Sequence, residues 1–300
     1  MAVDARVTAG VRNDEKLVRG ESELQIVIRN LVNNKGAVIG FGLMGLLVLS
    51  ALFAPILAPY DPLEISIPDR LQPPSAEHLL GTDQVGRDIL SRILYGGRLS
   101  LVLGFVSVGI GGVIGTVIGL MAGYYEGAID QVVMRLVDTL MAMPRTLLAL
   151  VISFVLGPSL LNLMVAVGVG QAPTYIRLVR GSVLSAKREL YVDAARATGA
   201  SNFHIMFRHI LPNVVGPAVV VSTLALGWAV LSAATLSFLG MGVQPPTPEW
   251  GNMVSEGRQR MSSAFWVSFF PGLFIMVSVL ALNLLGDGLR DALDPKLRAR

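Results

Sequence analysis

The run Tyr191-Val-Asp-Ala-Ala-Arg-Ala-Thr-Gly-Ala-Ser-Asn-Phe-His-Ile-Met-Phe-Arg-His-Ile-Leu-Pro212-Asn213 is a charged, helix-favouring island between two long apolar regions. Ala194, Ala195 and Ala197 favour helix, Asp193 sits near its start, and Gly199 is the residue expected to break it. A second short helix is expected to carry Ile205, Met206 and Ile210 on one side, with Pro212 stopping it and opening the next apolar run. The pattern reads as a helix–turn–helix knob on the face of a membrane protein, shaped to sit in another protein's groove.

Composition supports the membrane setting. Of 300 residues, 53% are hydrophobic and 15% charged, with a mean hydropathy of +0.62; soluble domains carry about a quarter charged residues. The net charge of +3 and pI near 9.4 raise the question of nucleic acid, but the basic residues are spread through the loops, so nucleic acid is not an expected partner. The chain has no cysteine, which excludes disulfides, thiol catalysis and Cys-ligated metals. His78, His204 and His209 show no metal spacing, and no metal site is expected. The first 35 residues lack the apolar core and cleavage site of a secretory signal, so this start is expected to be retained and cytoplasmic.

Taken in order, residues 21 to 35 place Leu24, Val27, Ile28, Leu31 and Val32 at helical spacing, as in a helix lying along lipid headgroups, the end of a cytoplasmic segment 1–35. Residues 36–58 carry no charge and suffice for a first span, since about 20 apolar residues cross the ~30 Å hydrocarbon layer. A polar external loop, 59–98, follows. The second span lies between Arg98 and Glu126, and within it Gly111, Gly115, Gly119 and Gly123 recur every fourth residue. That spacing lets a helix approach closely, either from this chain or from a second subunit. A third span is expected to start near Ile129 to Val132 and to contain Asp138, Pro144 and Arg145; the break Gly157-Pro-Ser159 precedes a fourth over about 159–179. The island, bounded as a loop of residues 185–212, leads to a fifth span that ends in a stiff turn at Pro245, Pro246 and Pro248. The sixth lies between Met261 and Gly286, with a kink expected at Pro271-Gly272, and 287–300 form a tail.

The pattern Asp193-Ala194-Ala195, three residues, Gly199, then Ile210-Leu211-Pro212 resembles the "EAA" loop of ABC-importer permeases, with Asp in place of the usual Glu. The run from His78 to Arg92 and the run from Leu236 to Gly251 are similar to the dipeptide/oligopeptide/nickel branch, in particular its C-type permease. The resemblance covers most of residues 31–290. It implies an all-α integral membrane protein of six transmembrane helices, in the type I importer permease fold, with cytoplasmic coupling helices and a permease core over 99–286. It further implies that Asp193, Ala194, Ala195, Gly199, Ile210, Leu211 and Pro212 dock an ATPase subunit. The partners implied are a second homologous permease, two ATPases carrying ATP and Mg, an external solute-binding protein and the lipid bilayer. Peptides are the commonest substrates implied; nickel, oligosaccharides and opines remain open.

Charge bias agrees on topology. If both termini share one side of the inner membrane, seventeen of the 24 Lys and Arg fall on that side and six on the other, which makes the termini and the docking loop cytoplasmic. No lysine follows a phosphate-cradling glycine pattern, and no Ser/His/Asp array or metal helix suggests catalysis, so no catalytic residue and no cofactor of this chain is expected. A secondary transporter or channel is the rival class; such proteins commonly carry ionisable residues in broken helices and inverted repeats. Asp138 and Arg145 are the charges placed well inside a span, and both are candidate residues of the translocation path. A straight third span entered near Gln131 would put Arg145 about 20 Å deep, past the midplane. There its guanidinium must pair, with Asp138 two turns away, or point into the path to meet an anionic group such as a peptide carboxylate.

Overall fold

The computed structural model describes residues 23–293, which are helical with no β-strand among them. The polar start of the chain and the end of the tail, with Lys296, Arg298 and Arg300, lie outside the described residues.

Helices α1 (Glu23–Asn33) and α2 (Lys35–Leu52) meet at Asn34, whose side-chain oxygen accepts the Ala37 N–H at 3.1 Å and caps α2. Asn34 also donates to Asp291 at 3.3 Å, bringing the two ends of the described chain together. α2 stops at Leu52, short of residue 58. Arg98 donates to the carbonyls of Ala51 (2.6 Å) and Leu52 (2.8 Å), satisfying the last turn, and Pro55 heads a separate turn, Ala54–Leu57.

α3 (Ile89–Tyr125) begins nine residues before Arg98, so the loop that precedes it is shorter than the sequence suggests. The reason is Asp88, whose carboxylate accepts the Ser91 N–H at 2.8 Å and starts the helix there. The third span is corrected more severely. α4 (Gly127–Met141) and α5 (Arg145–Leu156) are bent by 98° across Ala142-Met143-Pro144. Proline disfavours helical geometry in the residue before it and supplies no N–H, so the helix ends and restarts in a new direction. A straight helix from Gln131 does not exist, and the 20 Å depth for Arg145 falls with it.

α6 (Leu160–Ala186) opens at the expected Gly-Pro-Ser break, with Ser159 capping Asn162 N–H at 3.1 Å, and runs past residue 179 with Pro173 inside it. α7 (Leu190–Ala197) is short. α8 (Asn202–Phe238) is 37 residues long and continuous, and contains a π turn over Ile205–Ile210. Pro212 therefore does not stop the helix. It sits two residues beyond the end of the π turn, and a widened turn relieves the clash between a proline ring and the carbonyl four residues back. After the turn around Pro245 and Pro246 come α9 (Trp250–Gly257) and α10 (Trp266–Leu293), which carries Pro271 in its second turn. α2, α3, α8 and α10 are long and apolar enough to cross a membrane, and the bent pair α4–α5 makes a fifth crossing if it is one broken span.

Packing is organised by a seam of glycines. A Cβ at Gly111, Gly119 or Gly123 would stand 2.5, 2.7 and 2.9 Å from atoms of α6, and one at Gly115 would overlap Tyr175. Gly168 answers from α6, where a Cβ would lie 2.8 Å from the Ser107 carbonyl. The four-residue glycine repeat is thus spent on a helix of the same chain. Around this seam one buried cluster joins α3, α6, α7 and α8 through Leu103, Leu163, Val179, Val192, Ile205 and Leu236. A second cluster joins α2, α3, α9 and α10 through Leu47, Ile93, Trp250 and Leu282.

Candidate functional site

α7 and the first turns of α8 form a projecting knob at the end of α6. Asp193 and Ala194 face outward, while Val192 and Ala195 are buried beneath them with Ile205, Met206 and Ile210. The turn between the helices is made by Gly199 at φ +81°. Ala200 N–H donates to the Ala195 carbonyl (3.1 Å) and Gly199 N–H to that of Arg196 (3.0 Å), the paired bonds of a Schellman end. A side chain at Gly199 would meet no atom within 4 Å, so glycine is needed there for its backbone angle and not for space.

The exposed face of the knob carries large apolar side chains outside the pattern of residues 193–199 and 210–212. Leu190 is 84% exposed and Phe203 68%, with Phe207 stacked on Phe203 at 4.5 Å between ring centroids. Exposed aromatics in a charged stretch were the available signal. Leu211 is half-buried and Pro212 exposed. The base of the knob is tied to the end of α3: Lys187 donates to the Tyr124 carbonyl (2.5 Å) and to Glu126 (2.8 Å), and Tyr124 donates to Asn202 (2.8 Å). The hydrogen bond from Lys187 holds the exposed Glu126 carboxyl below its ordinary range.

Asp138 and Arg145 are separated by the bend and do not pair. Asp138 binds Arg177 of α6 at 2.5 Å. Farther along, Asp130 binds Arg180, so α4 lies along α6 on ion pairs at positions 126, 130 and 138. Arg145 instead lies over Trp228 of α8, 5.7 Å from the ring centroid, at a cavity of about 170 Å³ that Gln171 and Thr174 of α6 also line. Nothing in a linear reading linked Gln171 or Trp228 to Arg145. Among the described residues, no group of His, Cys, Asp or Glu is arranged to hold a metal.

The described residues thus form a bundle of membrane-length helices with an exposed helix–turn–helix between two of them. Residues 115–299 match the family described as binding-protein-dependent transport system inner membrane component, and residues 22–74 match the N-terminal TM domain of oligopeptide transport permease C. The chain belongs to the first of these families, as an ABC-importer permease subunit. Among curated relatives, it is 48% identical over 271 residues to the dipeptide transport system permease protein DppC of Alkalihalophilus pseudofirmus, covering 90% of this chain and 89% of that one. It is 47% identical to the di/tripeptide transport system permease protein DppC of Pseudomonas aeruginosa, over 92% and 93% of the two chains. It is 49% identical to the glutathione transport system permease protein GsiD of Pectobacterium atrosepticum, over 85% of each. In fold it is similar to a chain of the MetNI methionine ABC transporter in an inward-facing conformation, with TM-score 0.52 at 22% identity, covering 68% of this chain and 97% of that chain.

Proposed function

We propose that this chain is one of two permease halves of an ATP-driven peptide importer. The named relatives that share nearly half of its residues along almost its whole length are permeases for dipeptides, di/tripeptides and glutathione, itself a tripeptide. Six crossings serve this role: α2, α3, the broken pair α4–α5, α6, α8 and α10. α6 is 27 residues long, ample for a ~30 Å layer, and its basic C-terminal half enters the cytoplasmic surface. Both termini are cytoplasmic, and the contact of Asn34 with Asp291 supports a shared side.

The single observation that carries the coupling role is the knob made by α7 and the start of α8, an exposed apolar face with Asp193 paired to Arg196 at 3.5 Å, on a buried base. Asp193, Ala194, Ala195, Gly199, Ile210, Leu211 and Pro212 build it, the exposed members contacting a partner ATPase and the buried ones holding its shape. ATP and Mg stay on the ATPases. A homologous permease completes the path, and an external solute-binding protein delivers peptide to it.

The test is Gly199→Leu. A branched side chain at φ +81° is strained, so the turn reshapes while the buried base keeps the permease inserted. ATPase subunits should no longer co-purify at wild-type stoichiometry, and peptide uptake in proteoliposomes should fall at least about tenfold, the cost of about 1.4 kcal/mol of docking energy. Asp193→Ala should show a smaller loss. Wild-type uptake by Gly199→Leu refutes the assignment.

A further inference from the structure

Where α5, α6 and α8 meet, two hydrogen-bond donors, on Arg145 and Gln171, are left unmet. Arg145 makes no hydrogen bond or ion pair among the described residues and lies against the Trp228 ring. Gln171, 2% exposed, lines the same cavity and its amide nitrogen has no partner among the described residues. The nearby Tyr175 hydroxyl is already engaged, donating to Ser222 at 3.0 Å. Asp138, the acidic residue that could have neutralised Arg145, is held by Arg177. Arg145 is also the first residue of α5, a 12-residue helix whose first turn lacks a side-chain cap.

Arg145 is exposed at the mouth of this cavity and Gln171 is buried behind it, where an orphaned amide costs about 1–3 kcal/mol. One acceptor of negative charge would satisfy both groups. Carboxylate fits best, because the planar guanidinium matches its two oxygens and Trp228 holds the guanidinium from one face. Leu224 supplies an apolar wall. The cavity, about 170 Å³, is smaller than a pocket that encloses a whole drug-sized ligand, so it takes one end of a longer molecule.

We propose that Arg145, Gln171 and Trp228 form a subsite on the translocation path that binds the C-terminal carboxylate of a transported peptide. Arg145 donates to both oxygens, Gln171 donates its free amide hydrogen, and Trp228 keeps the guanidinium in plane. This rests on the reading of the chain as a peptide permease.

The test uses the purified complex of both permeases and both ATPases, without solute-binding protein, in nanodiscs of phosphatidylcholine so that no anionic headgroup supplies the charge. Equilibrium binding of radiolabelled alanyl-alanine is compared with that of its C-terminal amide. Wild type should prefer the free acid at least about tenfold, the range of a charge-assisted hydrogen bond. Arg145→Gln and Gln171→Leu should each lose most of that preference, and Arg145→Lys should keep part of it. Equal or undetectable binding of acid and amide by wild type, or an unchanged preference in Arg145→Gln, overturns the subsite. Uptake of alanyl-alanine by the wild-type complex with its binding protein separates the two readings. Its absence overturns the peptide-permease reading and the subsite with it, whereas intact uptake alongside acid–amide parity overturns the subsite alone.

Discussion

Glu249 shows how a single residue can hold a turn together at an electrostatic cost. It is 1% exposed and caps α9, accepting the N–H groups of Gly251 (3.0 Å) and Asn252 (2.9 Å) and the Ser100 hydroxyl (3.1 Å). Burial nevertheless pushes its carboxyl up from the ordinary value, because the surrounding hydrogen bonds do not fully replace lost water. With the folded value above the unfolded one, ionisation works against the fold. The contribution is fully favourable below the unfolded pKa and is lost as pH rises through the folded one. Glu249→Gln removes the titration, so the wild type should lose Tm relative to this variant as pH is raised from about 4 to about 8. A difference in Tm that stays constant across that range would contradict the raised carboxyl. Proline-Thr-Pro-Glu reads in sequence as a stiff turn; that its glutamate is interior is invisible there, because burial belongs to Ser100 and Trp250 as much as to Glu249.

At the scale of elements, the close crossing of α3 on α6 is the contact on which the rest is hung. Lipid tails are as apolar as leucine, so packing and not water exclusion drives this contact, and small residues set its distance. Gly119→Ala would place a methyl 2.7 Å from the Ile176 carbonyl and should lower stability by about 1–3 kcal/mol, read as a drop in Tm. Gly109, on the same helix, has no atom within 4 Å of its would-be Cβ, so Gly109→Ala should leave Tm unchanged or raise it, alanine being the better helix former by up to about 1 kcal/mol. Equal effects at the two positions would remove the seam as the explanation. The glycine period was legible in the sequence; its partner was not, since either a second subunit or this chain could have supplied the facing helix. The bend at Pro144 is hidden from the sequence for a related reason: apolar length predicts a span, while the direction taken after a proline is decided by what α5 packs against.

For the molecule as a whole, α9 and the loop before α3 are locked by a buried charge network. Asp83 accepts from Arg87 Nε at 2.6 Å and from Arg92, and Glu256 joins both arginines at 3.2 and 2.9 Å, across more than 160 residues of chain. Arg92 and Asp83 are 1% and 2% exposed in their side chains. Removing one partner from such a set strands charge in the interior, so Asp83→Asn should cost about 3 kcal/mol or more and lower the Tm of the purified complex clearly. A Tm within about a degree of wild type would mean that solvent reaches the network. Arg87 and Arg92 counted in the sequence as loop charges on the external side; one is the last residue before the α3 cap and the other is in its first turn.

The sequence by itself determined the membrane class, most of the helix positions and the existence of a knob around Gly199, because these depend on apolar run length, charge placement and a local backbone angle that glycine alone adopts without strain. Only the tertiary structure decided that Asp138 pairs with Arg177, that the glycine face meets α6, and that Arg145, Gln171 and Trp228 share a cavity. Each of those is a meeting of residues far apart in the chain. A sequence records the needs of a side chain, such as a charge to be neutralised, but not which of several distant partners the packing of helices brings within reach.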